Sequence, residues 1–151
     1  MGLGSRGERN STIVARFVDT NILVYAEDLD AGSKRTVALN LIRDCWNQGD
    51  GVLSIQVLKE FYVTVTRKLP VVMSFELAST IVDEYLTWQI VPTDEALLRA
   101  GIGLSHSAEL SLWDALVVQA AARAKCRTLY TEDLTHGQSF GSLEIINPFK
   151  E

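Results

Sequence analysis

Short apolar runs rich in β-branched residues alternate with longer segments of helical periodicity, and this order constrains the fold more than any other feature. Apolar character and strand propensity predict five strands. They are IVARFVDT (13–20), GVLSI (51–55), QIVP (89–92), RTLYT (127–131) and LEIIN (143–147). Strands separated by helices in this way favour an α/β fold with a mainly parallel central sheet of four to five strands and helices on both faces.

Five helices are predicted between these strands. The first begins at its cap Ser33 and runs to about Gln48, where Gly49 stops it. The other four cover QVLKEFYVTVTRKL (56–69), SFELASTIVDEYLTW (74–88), TDEALLRAGIGLSHSAEL (93–110) and SLWDALVVQAAARAKC (111–126). The last of these is apolar over most of its circumference and is therefore expected to be central. Trp46, Trp88 and Trp113 are expected in the core, and His106 and His136 at the surface.

Length and composition fit one folded domain. The chain has 151 residues, 47% hydrophobic and 22% charged. We expect a flexible leader over residues 1–15 and a single domain over 16–151. No apolar stretch reaches the ~18 residues of a membrane helix, and the N-terminus lacks the apolar centre of a secretion signal, so a cytoplasmic protein is expected. Cys45 and Cys126 have neither disulfide nor metal-ligand spacing, which favours reduced, packed thiols.

The net charge of −5 argues against a protein that coats nucleic acid by bulk attraction. An acidic protein can nevertheless act on phosphates if a bound metal ion reverses the local sign of the field. The positions of the acids therefore matter more than their number.

One acid lies at the end of an apolar run. Within FVDTNILVY (17–25), which otherwise reads as a buried strand, Asp19 is followed by Thr20 and Asn21. Desolvating an unpaired carboxylate costs several kcal/mol or forces it to take up a proton. An acid in this position therefore calls for a partner.

Three further acids are expected at the same edge of the sheet. Glu60 lies in the opening turns of the helix after the second strand, Asp114 lies three residues after the helix cap Ser111, and Asp133 directly follows RTLYT. Ligands of open α/β sheets bind at the edge where the carboxyl ends of parallel strands gather. We therefore expect Asp19, Glu60, Asp114 and Asp133 to converge there.

Carboxylates brought together in this way repel one another unless protons or cations neutralise them, and they suit Mg²⁺ or Mn²⁺. Each acid also has a purely structural interpretation. Asp19 fits an Asx-turn, Asp114 a helix cap, Asp133 a loop, and Glu60 a solvated stripe with Thr64 and Lys68. Taken singly, the structural interpretation is favoured for each; convergence of all of them favours a metal site.

The chain resembles the PIN-domain ribonucleases, particularly the VapC-type toxins of prokaryotic toxin and antitoxin pairs. The resemblance runs from Phe17 to Phe149 and is carried by FVDTNILVY, SIQVLKEFY, LSLWDALVVQAA, LYTEDLTHGQ and LEIINPF. It implies a three-layer sandwich in which Asp19, Glu60, Asp114 and Asp133 form the acidic tetrad. Thr131 stands where the family often has a Ser or Thr near the metal.

The resemblance further implies a Mg²⁺- or Mn²⁺-dependent endoribonuclease that leaves a 5′-phosphate. Asp19, Asp114 and Asp133 would be direct or water-bridged ligands of one or two ions. Glu60 would act through a metal-bound water or assist its deprotonation. Asn21 and Thr131 would orient the ligands by hydrogen bonds without contacting the metal themselves. RNA would be the substrate, a small antitoxin would cover the acidic cleft, and helices would form a homodimer.

Two alternatives belong to other classes. A receiver domain would want a paired acid where Thr20 stands, and an aspartate-phosphorylating hydrolase would want a second Asp where Asn21 stands. Neither fits well. A non-catalytic PIN-like module that binds RNA or protein is the closer alternative, and the complete tetrad argues against it.

Overall fold

Residues 14–150 of the chain are described by the structure, which is a computed structural model. The expected leader lies almost wholly outside this range and stays a prediction. The strands are β1 (Arg16–Val18), β2 (Gly51–Ser54), β3 (Gln89–Val91), β4 (Thr128–Tyr130), β5 (Ser139–Phe140) and β6 (Leu143–Ile146). The helices are α1 (Thr20–Glu27), α2 (Ser33–Gln48), α3 (Ile55–Arg67), α4 (Phe75–Tyr85), α5 (Glu95–Ala108) and α6 (Leu112–Arg123).

The six strands form a single sheet in the order β3-β2-β1-β4-β6-β5. All neighbouring pairs are parallel except β5 and β6, which pair antiparallel. The predicted mainly parallel α/β fold is confirmed, with one strand more than expected. The added strand is β5, whose two residues are too short to show a period in the sequence.

A short helix directly after β1 was not anticipated. The sequence predicts a strand through Thr20 and no helix before Ser33, but the strand ends at Val18 and Thr20–Glu27 is helical. Asp19 causes the change, because its backbone is extended and its carboxylate accepts a hydrogen bond from the backbone N–H of Thr20. The buried positions of α1 are then Ile22, Leu23 and Ala26, which lie on one helical face.

The other predicted helices are confirmed within a few residues at each end. The prediction of a cap at Ser33 was wrong, because Gly32 is the N-cap of α2 and no side chain caps the helix there. Helix α2 ends at Gly49 in the left-handed conformation that glycine adopts readily. Helix α3 forms despite its β-branched residues, because Ser54 caps it and Val57, Phe61 and Val65 bury a common face. Tertiary burial therefore overrides the weak helix propensity of this segment.

The helices pack in two groups, which gives three layers. Helix α1 packs on α2 and α3, and α3 packs on α4; separately, α5 packs on α6, which also contacts β2 and β4. Close packing of α5 on α6 leaves little room at Gly101, because an added Cβ atom would lie 2.5 Å from Leu116 Cδ2 unless that side chain shifted. Helix α6 is central as expected, with six buried residues.

The tryptophans only partly follow the prediction of a core position. Trp88 is half-buried and packs with Trp46 and Tyr85, but Trp46 lies at the rim of this group and is 43% exposed. Trp113 is 61% exposed, so its assignment to the core was wrong. Helix α6 buries the residues that follow Asp114, which leaves the Trp113 side chain outside. Both cysteines are buried and free, as predicted.

Both histidines are exposed, as expected. His136 Nδ1 accepts a hydrogen bond from the backbone N–H of Asn147 and so ties the loop after β4 to the end of β6. Among residues 14–150, no helix is both long and apolar enough to cross a bilayer.

Candidate functional site

The strand order creates a switch point between β1 and β4. The chain moves outward from β1 to β2 and β3, then crosses back to place β4 on the other side of β1. Loops leaving β1 and β4 therefore diverge to opposite sides, which opens a crevice at the carboxyl edge of the sheet. Asp19 follows β1 here, and Thr131 and Asp133 follow β4.

Asp19 lies at the bottom of this crevice and is only 5% exposed. Its Oδ1 accepts from the backbone N–H of Thr20 at 2.7 Å, and its Oδ2 accepts from the hydroxyl of Thr131 at 2.8 Å. In the described chain no lysine or arginine forms an ion pair with it. The pKa of Asp19 is raised to about 7, mainly by burial and also by the charges of Asp133 and Glu60, while the two hydrogen bonds act in the opposite direction.

Asn21 joins the two strand ends. Its Nδ2 donates to Asp133 Oδ2 at 3.0 Å and to Thr131 Oγ1 at 3.3 Å, and its Oδ1 accepts from the backbone N–H of Glu132. The Thr131 hydroxyl also accepts from the backbone N–H of Asp133 at 3.0 Å. Asn21 and Thr131 therefore hold Asp133 in place and connect it, through the Thr131 hydroxyl, to Asp19.

Glu60 reaches the crevice from α3. Its Oε1 accepts from the Thr20 hydroxyl at 3.0 Å, and its Oε2 accepts from Gln56 Nε2 at 3.4 Å. Gln56 is buried and also donates to the backbone carbonyl of Trp113 at 3.3 Å. Neither Thr20 nor Gln56 was anticipated as a site residue. Gln56 could have been identified from the sequence, because it lies four residues before Glu60 on the same helix and therefore on the same face.

Asp114 lies in the first turn of α6 and is half-buried. Ser111 caps this helix by accepting from the backbone N–H of Asp114 at 3.0 Å. Partial burial raises the pKa of Asp114, and the charge of Asp133 raises it further, which places both carboxylates in one electrostatic environment. Through Gln56, the start of α6 is also joined to Glu60.

The chemistry of these side chains fits a hard divalent cation. Carboxylate oxygens are the ligands that Mg²⁺ and Mn²⁺ prefer, and no cationic side chain among residues 14–150 pairs with the buried Asp19. The side chains are not, however, arranged with the geometry of a metal-coordination site. Over the described residues, no group of three or more His, Cys, Asp or Glu side chains is placed to hold a metal ion. Metal ligation by the acidic tetrad stays a prediction.

A groove of about 590 Å³ opens beside the acids, between α1 and α3. Val24 and Val63 supply apolar surface, and Glu60 and Asp133 supply negative charge at the crevice. Lys59 and Lys68 also line the groove; the sequence placed Lys68 on a solvated face and gave Lys59 no role. The groove is large enough for a substrate segment that extends away from the acids.

A second polar network supports the loop after β4. The Tyr25 hydroxyl donates to Glu132 Oε1 at 2.5 Å, and Lys34 pairs with the other oxygen of Glu132. Lys34 Nζ also lies 5.0 Å from the Tyr25 ring centre and 5.4 Å from that of Phe149. These residues are far apart in sequence, so no local pattern could have identified the network.

Known proteins support the same fold. A model of the PIN domain family matches residues 16–136. A search of curated proteins finds no match. Among solved structures, a toxin-antitoxin complex from Klebsiella pneumoniae has a TM-score of 0.66 and 18% identity, covering 91% of this chain and 100% of that one.

Two further structures are similar. VapC20 from Mycobacterium tuberculosis, a sarcin-ricin loop cleaving toxin, has a TM-score of 0.61 and 13% identity over 79% of this chain and 92% of its own. VapBC2 from Rickettsia felis, bound to a promoter DNA fragment, has a TM-score of 0.61 and 19% identity over 87% and 97%. At these identities the likeness shows the fold alone. Because the family model spans most of the chain, this protein belongs to the PIN domain family.

Proposed function

We propose that this protein is a metal-dependent endoribonuclease, and the observation that carries the proposal is the environment of Asp19. A carboxylate that is 5% exposed, lacks a cationic partner in the described chain and faces further acids is costly unless a cation binds there. Its position at the switch point, beside a groove open to solvent, supports a role in binding and cutting a substrate.

The chain's own residues have distinct roles in this proposal. Asp19, Asp114 and Asp133 would hold the ion or ions, and Glu60 would hold or accept a proton of the attacking water. Thr131 and Asn21 would position Asp19 and Asp133 through the hydrogen bonds described above. Gln56 and Thr20 would orient Glu60 in the same way.

Mg²⁺ or Mn²⁺ would supply charge that lowers the pKa of a water and stabilises the leaving oxygen of a phosphodiester. The PIN family membership and the donor chemistry support a divalent ion. Without such a cation nothing would offset the repulsion between the ionised acids and an RNA phosphate or activate the attacking water, which is why we expect no activity in chelator.

A toxin role is supported by the solved structures that the chain resembles, which include toxin-antitoxin complexes. An apolar groove of about 560 Å³ between α3 and α4 offers surface for an antitoxin segment. Its apolar lining consists of Ile55, Leu58, Tyr62, Val63, Val82 and Leu86. Homodimer formation is supported by exposed apolar side chains on α4 and α5, namely Phe75, Leu77, Leu98 and Ile102.

Cleavage of a labelled RNA by the full-length chain tests the enzymatic proposal. The wild type and Asp19→Asn would be compared with Mg²⁺, with Mn²⁺ and with excess chelator. We expect wild-type cleavage only with metal, at least 100-fold slower cleavage by the variant, and a 5′-phosphate on the product. Equal cleavage by both proteins would show that another site or a contaminant is responsible. RNA binding without cleavage would favour the non-catalytic module.

A further inference from the structure

Lys59 and Lys68 are the positive side chains of the groove beside the acids. Both lie on or at the end of α3, which also carries Glu60. Lys34, whose ammonium lies over the Tyr25 ring beside the groove, is engaged in a pair with Glu132. Within residues 14–150, neither Lys59 nor Lys68 forms an ion pair.

Free lysines in this position are notable because the chain as a whole has a net charge of −5. An RNA phosphate approaching the acids meets negative potential from Glu60 and Asp133, so attraction must come from local positive groups. Lys68 lies on the same stripe of α3 as Glu60 and Thr64, and Lys59 precedes Glu60 directly. The two lysines therefore flank the part of the groove that opens onto Glu60.

We propose, on the basis of the function proposed above, that Lys59 and Lys68 bind two different phosphates of a single-stranded RNA lying along α3. The nine-residue separation places their backbones roughly 13 Å apart along the helix. Val24 on the α1 wall and Val63 on the α3 wall offer apolar surface to an unpaired base or sugar. A duplex keeps its bases stacked inside and presents no base face to such a wall. The groove thus selects an unpaired strand.

The experiment measures RNA binding by full-length Asp19→Asn, which keeps the groove but does not cut. Lys59→Gln and Lys68→Gln would each be added to this background, and the dissociation constant would be determined between 0.05 and 0.5 M salt. Arg67→Gln is the matched control, because Arg67 precedes Lys68 and is exposed but does not line the groove. It removes the same charge from the same helix end.

Each lysine variant should reduce the slope of log affinity against log salt by about 0.7, which corresponds to about fivefold weaker binding at 0.1 M salt. Arg67→Gln should leave the slope unchanged. In protein that keeps Asp19 and cleaves RNA, each lysine variant should raise KM about fivefold with kcat within about twofold. Lys68→Arg, which keeps the positive charge, should have the wild-type KM. A single-stranded RNA should bind at least tenfold more tightly than a duplex of the same sequence.

Three results would overturn the inference. In the first, both lysine variants keep the wild-type salt slope and KM while cleavage still depends on Asp19. The nuclease proposal would then hold, but the two lysines would have no part in RNA binding. Another is an equal loss in Arg67→Gln, which would show a diffuse field instead of groove contacts. The third is wild-type protein that neither binds nor cuts RNA, which would remove the nuclease proposal as well.

Discussion

The hydroxyl of Thr131 donates a 2.8 Å hydrogen bond to Oδ2 of Asp19, joining the ends of β4 and β1 where both side chains are buried. The same hydroxyl accepts from the backbone N–H of Asp133. The Thr131 side chain thus connects the buried Asp19 with the exposed Asp133. Its removal should affect both stability and activity.

Thr131→Val keeps the shape of the side chain but removes this connection. We expect a loss of about 1–3 kcal/mol in the free energy of unfolding, because a buried carboxylate oxygen loses its donor. Urea titration at pH 8 in chelator would measure it. Thr131→Ser keeps the hydroxyl and should retain most of the stability. If Val and Ser variants unfold at the same urea concentration, the hydrogen bond contributes little.

The pKa of Asp19 predicts a dependence of stability on pH in metal-free protein. Its folded-state pKa of about 7 lies above the ordinary 3.8, so the folded state binds the proton more tightly than the unfolded state. The stabilisation is complete below about pH 4 and is lost as the pH rises to about 7, with a slope of at most about 1.4 kcal/mol per pH unit.

Asp19→Asn isolates this contribution, because it cannot titrate and retains a side-chain oxygen at the helix cap. In chelator the free energy of unfolding of the variant should increase relative to that of the wild type as the pH rises from 4 to 7. Mg²⁺ or Mn²⁺ should reduce the difference by stabilising the ionised wild type. If the difference in free energy of unfolding between wild type and variant stays constant from pH 4 to 8, the raised pKa of Asp19 is refuted.

Tyr25→Phe should loosen the loop after β4. The variant loses the 2.5 Å hydrogen bond to Glu132, whose backbone N–H is held by Asn21. We expect a loss of about 1 kcal/mol in the free energy of unfolding and slower RNA cleavage through a displaced Asp133. Tyr62→Phe on α3, also half-buried, is the control and should change stability by less than about 0.5 kcal/mol. Equal behaviour of the two variants would argue against the network.

The packing of α5 on α6 predicts different results for two glycines on one helix. Gly101→Val places atoms where Leu116 already lies, 2.5 Å from the added Cβ atom, whereas a Cβ atom at Gly103 meets nothing within 4 Å. Helix propensity changes equally in both variants. Gly101→Val should therefore be less stable than Gly103→Val by about 1–3 kcal/mol in thermal or urea unfolding. Similar stabilities would mean that the two helices can separate at little cost.

Local patterns in the sequence determined most of the elements of this fold. Strand runs, the cap at Ser111 and the stop at Gly49 involve residues within about four positions of each other, so the sequence alone reveals them. The α/β order then placed Asp19 and Asp133 at strand ends. Helix α1 and strand β5 escaped prediction, because the first begins inside an apolar run and the second has only two residues.

Only the tertiary structure decided which side chains meet. Thr131 and Asp19 are 112 positions apart and Thr20 and Glu60 are 40 apart, so their hydrogen bonds depend on the strand order and not on spacing. The pairing of Lys34 with Glu132, the exposure of Trp113 and the freedom of Lys59 and Lys68 likewise follow from packing. Periodicity shows which face of an element is apolar, but the partner of that face is set by the whole chain.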